Sequence, residues 1–68
     1  MIPKIMILGA GYNQLGLILA GRDLGYHIIS IDNIPSNIGH EFSSESLNIS
    51  TTDRDRVLKA AKSRNIDG

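Results

Sequence analysis

Two short apolar runs frame a set of residues that could do chemistry: Gly9, Gly11, Tyr12, Asn13, Gln14 and Leu15 follow the first run, and Asp32 and Asn33 follow the second. A glycine turn leading from a strand into a helix leaves backbone N–H groups unpaired at the positive helix end. A phosphate or carboxylate can sit there. An acid at the tip of the neighbouring strand adds an acceptor for ligand hydroxyls. These eight residues form the candidate substrate or anion site, and no residue is assigned a catalytic or metal-binding role.

The elements that must position them can be read in order. Ile5 to Leu8 is continuously apolar and bounded by Pro3 and Gly9, which suits a strand buried on both faces of a parallel sheet. From about Asn13 to Leu24 the residues Leu15, Leu17, Ile18, Leu19, Ala20 and Leu24 recur at helical spacing, and Gly25 supplies the left-handed residue that ends the helix, with Tyr26 folding back over its last turn. Gly21 inside this helix costs about 1 kcal/mol against alanine, which points to close packing on a strand. His27 to Ile31 reads as the second strand, and a βαβ unit this short requires a parallel, right-handed crossover. Pro35 to Ser46 reads as a polar loop with room for one helical turn. Leu47 to Ser50 alternates as a third strand would. Thr52 or Asp53 then caps a second helix carrying Val57, Leu58, Ala60 and Ala61, with Lys59, Lys62 and Arg64 in its C-terminal half. Ile66-Asp67-Gly68 leads out of that helix, and in a doubly wound fold another strand should begin directly after it.

Sixty-eight residues make at most one domain. A chain of this size buries only about 60% of the surface its unfolded form exposes, so marginal stability and a partner surface are expected. There is no cysteine, which removes disulfides and thiolate metal sites and agrees with a reducing, cytoplasmic compartment. Seven basic residues balance seven acidic ones, so the composition carries no signature of nucleic-acid or membrane binding. No apolar run is long enough to span a bilayer, and no signal-peptide pattern is present.

A dinucleotide fingerprint would place a third glycine where Gln14 stands, whereas the next glycine is Gly16. Tyr12-Asn13 reads as an insertion that lengthens the turn, although Asp32 does lie about twenty residues on, where a ribose-binding acid would be. The competing structural reading is that Gly9 and Gly11 permit a tight turn and Asp32 caps a loop. Asp53 and Asp55 straddle a helix start and read as cap residues rather than magnesium ligands. His27 reads as a surface or edge residue, and His40 beside Glu41 as a solvated one. Serine-elbow, H-E-x-x-H and phosphate-loop motifs are absent.

Taken in order, Lys4 to Gly11, Gln14, Leu24-Gly25-Tyr26, Asp32, Pro35, Asp53, Val57, Ala60, Ala61 and Ile66-Asp67-Gly68 resemble the N-terminal domain of ATP-grasp ligases. The pattern is similar to relatives of the carbamoyl-phosphate synthase large subunit and to the purine-pathway carboxylating and formylating ligases. It spans nearly the whole chain but departs from the family near Phe42-Ser43-Ser44-Glu45, where an alanine-aspartate pair is common. The resemblance implies an α/β fold, a three-layer Rossmann-like parallel sheet in the order β-α-β-β-α, incomplete before its next strand. It also implies a substrate-side role in an enzyme that forms an acyl-phosphate and transfers it to a nitrogen nucleophile. ATP and Mg²⁺ would then be held by the ATP-grasp domain of the same chain, and the acceptor would contact Gly11 to Leu15 together with Asp32 and Asn33. On this reading residues 1–68 are a partial domain, inactive in ligation alone, whose partners are the rest of its chain, a small-molecule acceptor and, where it self-associates, a second copy. The alternatives are a truncated NAD(P)-binding Rossmann domain of a dehydrogenase or epimerase, and a small binding or oligomerisation module.

Overall fold

In the computed structural model, which describes all 68 residues, β1 (Lys4–Leu8) leads through the glycine turn into α1 (Tyr12–Asp23) and returns as β2 (His27–Ile31). A single-turn helix, α2 (Ile38–Glu41), precedes β3 (Glu45–Leu47), and α3 (Arg54–Arg64) closes the series. All strands are parallel in the order β1-β2-β3, with Ile5 opposite Ile28, Ile7 opposite Ser30 and Ile31 opposite Leu47. No helix is long and apolar enough to cross a membrane.

Strand alternation decides which face each helix covers. Ile5, Ile7, Ile28 and Ser30 share one face by register, and Ile7 and Ile28 cluster there with Ile18 of α1. Ser30 meets α2 on the same face through His40. Glu45 points to the opposite face, because its neighbour Ser46 is the register partner of Ser30. There Glu45 holds Arg64 of α3. The fold is therefore a three-layer α/β arrangement of the Rossmann-like kind, with α1 and α2 on one face of the parallel sheet and α3 on the other. β2 is buried from Ile28 to Ile31, as a central parallel strand requires, whereas Leu8 of β1 remains 53% exposed.

Several expected details hold and others change. Gly25 takes φ +80°, the amide of Tyr26 donates to the carbonyl of Gly21, and Asp53 caps α3 by accepting from the amide of Arg56. The third strand begins at Glu45 rather than Leu47 and ends where Leu47 to Ser50 was expected to run, because the amide of Ser44 already reaches the carbonyl of Ile28. The element order thus becomes β-α-β-α-β-α, with α2 standing inside the expected loop. After α3, the amide of Asp67 donates to the carbonyl of Lys4 and the amide of Met6 to the carbonyl of Gly68, so this segment lies along the edge of β1 away from β2.

Two glycines make room for close approaches of different kinds. A Cβ at Gly21 would lie 2.6 Å from Cδ1 of Ile28, the movable end of a side chain. A Cβ at Gly39 would lie 2.6 Å from the carbonyl oxygen of Ala10 and 2.7 Å from Cδ1 of Ile18, and the backbone oxygen cannot step aside. Gly21→Ala should therefore change stability by less than about 1 kcal/mol, the helix-propensity gain offsetting a rotamer shift. Gly39→Ala should cost about 1–3 kcal/mol through overpacking. Urea denaturation of the two variants checks the contrast, and equal midpoints would refute it.

Candidate functional site

The turn after β1 is shaped by its own hydrogen bonds. Gly9 adopts φ +99°, a conformation that favours glycine, and its amide donates to the carbonyl of Ile31 at 2.7 Å. The amide of Ala10 donates to Oδ2 of Asp32 at 2.9 Å, and the carbonyl of Ala10 accepts from the amide of Gly39 at 2.7 Å. Gly11 occupies the N-cap of α1 with extended backbone, and its amide donates to Oε1 of Gln14 at 3.1 Å. The amide of Gln14 returns to the carbonyl of Gly11. This is half a capping box, since a glycine cap has no side chain to complete the other half.

Two of the turn's amide donors, Ala10 and Gly11, are thus occupied from within the fold. The amides of Tyr12 and Asn13 have no acceptor, and both residues are exposed. They sit at the positive end of α1, whose first turn holds no acidic residue, with the Asp32 carboxylate on the amide of Ala10 just before it. Gln14 and Leu15 are half-buried, and Asn33 is exposed at the tip of β2. Gly9, Gly11, Tyr12, Asn13, Asp32 and Asn33 therefore gather around two adjacent strand ends, while Gln14 reaches them through its hydrogen bond to Gly11.

Asp32 is turned into this framework. Oδ2 accepts from Ala10 and Oδ1 accepts from the amide of Ile34 at 2.9 Å. Burial pushes its carboxyl upward, but the two backbone amides, the Asn37 side chain and the charge of His40 outweigh that and hold it below its ordinary value. His40 is not the solvated side chain expected: Nδ1 lies 2.7 Å from Oγ of fully buried Ser30, and Nε2 lies 3.3 Å from the carbonyl oxygen of Asp32. With a hydroxyl donor on Nδ1 and a carbonyl on Nε2, the neutral ring carries its proton on Nε2. Neither partner could be found from sequence, because Ser30 and His40 belong to different elements.

No group of three His, Cys, Asp or Glu side chains converges as a metal site would require. Compared with protein-family models and with curated protein sequences, the chain matches none. What fold and geometry define is an α/β domain of the Rossmann-like class, with two unpaired amides at the start of α1 beside the tips of β1 and β2.

The lowered carboxyls of Asp32 and Glu45 have a consequence for pH. Glu45 is held down chiefly by its hydrogen bonds from Arg64. A carboxylate lowered in the folded state stabilises above its unfolded pKa and loses that contribution as pH falls through the folded value. Stability should therefore be flat from neutral pH to about pH 5 and decline below the ordinary carboxylate range near pH 4. Asp32→Asn should flatten part of that decline and cost about 1–3 kcal/mol at neutral pH, since one amide would face a donor group. Denaturant midpoints measured against pH for both proteins check this.

Proposed function

We propose that residues 1–68 form the substrate-side domain of an ATP-dependent ligase of the ATP-grasp type, acting in the cytoplasm and receiving the acceptor at the Gly11–Leu15 helix start. The observation that carries this reading is the pair of unpaired amides at Tyr12 and Asn13. Two adjacent N–H donors at a helix end match the two oxygens of one carboxylate, the group such an acceptor presents. The ordered sequence resemblance supports the same class. ATP and Mg²⁺ would be bound by another part of the protein, and this chain alone would bind acceptor without ligating it.

The nicotinamide alternative has less support. A ribose-binding acid must face the ligand, whereas both oxygens of Asp32 accept backbone amides of the turn and loop. Gln14, where the fingerprint has glycine, closes the amide of Gly11 as well.

Proline at the first helical position removes one N–H and suits the extended backbone of Gly11 before it. Tyr12→Pro should therefore leave stability within about 0.5 kcal/mol and weaken carboxylate binding, while Tyr12→Ala, which keeps the amide, should bind as the parent does. Amide chemical-shift titration with acetate and with citrate, at constant ionic strength, reads this at Asn13. Calorimetry with NAD on the intact protein should give no binding heat, and micromolar affinity for NAD would overturn the ligase reading.

A further inference from the structure

Charge that is balanced over the chain is not balanced over its elements. Five of the seven basic residues, Arg54, Arg56, Lys59, Lys62 and Arg64, lie on α3, with Asp55 the one acid among them. The helix dipole favours Lys62 and Arg64 in the last turn. It disfavours Arg54 and Arg56 in the first, and Arg56–Lys59 and Lys59–Lys62 are like-charge pairs three residues apart. Carboxylates answer only two of the five: Glu45 meets Arg64 at 2.7 Å, and Asp53 stands 4.0 Å from exposed Arg56. Arg54, Lys59 and Lys62 have no carboxylate within 4.0 Å. Helix formation alone does not account for cations placed in this way.

They also border a concavity. Arg56, Lys59 and Arg64 line a groove of about 350 Å³ together with Ile49, Ala60 and Ser63, between α3 and the segment after β3. The C-terminal end of this helical stripe is held firmly. Nε and Nη2 of Arg64 donate to Glu45, Nη1 donates to Oγ of Ser63 at 3.0 Å, and Oγ of Ser63 donates to the carbonyl of Ala60 at 3.0 Å. Arg56 and Lys59 lie on the same face of α3 toward its start, their charges free or loosely paired, and Ile49 and Ala60 add apolar lining.

We propose that this groove binds a small phosphorylated molecule, with Arg56 and Lys59 holding the phosphate and Ile49 and Ala60 receiving its less polar part. The volume lies at the lower end of the roughly 300–1,000 Å³ typical of small-molecule sites, which fits a compact ligand rather than a polymer. A phosphate between two cations relieves their mutual repulsion and gains charge-assisted hydrogen bonds. The groove lies against α3, on the sheet face opposite α1, and does not rest on the ligase reading.

Pyrophosphate serves as the probe, titrated into the ¹⁵N-labelled chain at constant ionic strength. Saturable amide shifts are expected at Ile49, Lys59 and Ser63. Arg56→Gln and Lys59→Gln should each weaken binding about tenfold, as loss of one charge-assisted hydrogen bond implies. Lys62→Gln, in the neighbouring groove with Asp55 and Leu58, should change it less than about twofold. All three side chains are exposed or line open surface, and unshifted resonances elsewhere verify the fold of each variant. Shifts that follow ionic strength alone would overturn the proposal, as would equal weakening by all three substitutions. Tight binding of a short oligothymidylate without binding of pyrophosphate would overturn it in favour of a nucleic-acid surface.

Discussion

The Ala10 peptide unit is the point on which the rest of the domain depends. Ala10 is fully buried, its N–H is taken by the carboxylate of Asp32, and its carbonyl is taken by the amide of Gly39. Three segments that are distant in sequence, the turn after β1, the tip of β2 and the α2 turn, meet on one residue. A buried peptide group left unpaired costs about 1–3 kcal/mol, so both bonds must form together with the packing around them. The close approach leaves no space for a side chain at Gly39, and the path of the turn requires positive φ at Gly9. The glycines thus answer to geometry at the strand tips before they answer to any ligand.

That arrangement also shapes the start of α1. A helix start with every amide free would offer a broad cradle for a pyrophosphate. Here Asp32 and Gln14 occupy the first two donors, and Tyr12 and Asn13 keep the remaining pair. The acid beside the turn is an internal acceptor whose lowered pKa reflects the amides it holds. What is left open is smaller than the glycine pattern alone suggests, and a carboxylate already stands beside it.

Much of this could be read from the sequence where the signal is local. The apolar runs of β1 and β2, the helical spacing of α1, the stop at Gly25 and the cap at Asp53 each depend on neighbours a few positions away. The glycine pattern likewise pointed to the turn after β1, where Gly9 does take positive φ. Less legible were features whose cause lies far along the chain. α2 has four residues, too few for a helical period to register. β3 begins with a glutamate, an unpromising strand residue whose place is explained by Arg64, nineteen positions later. His40 looked solvated because its partner Ser30 lies on another element, and the inward turn of Asp32 depends on an amide twenty-two positions before it.

The Glu45–Arg64 pair shows how one such distant contact organises the second face of the sheet. With side chains alternating along β3, Glu45 stands on the face that α3 must cover, and three guanidinium–carboxylate contacts of 2.7–3.0 Å fix the last turn of that helix. Fixing the last turn also aims the exit of α3, whose C-cap Asn65 takes the left-handed conformation and delivers Asp67 to the edge of β1. There Oδ2 of Asp67 accepts from the amide of Lys4, and Nζ of Lys4 donates to the carbonyl of Arg64. The segment after α3 is thereby carried past β2 to the far side of β1, the move that reverses strand order in a doubly wound sheet. The reversal lies between β1 and that segment, and the unpaired amides of Tyr12 and Asn13 follow the same strand.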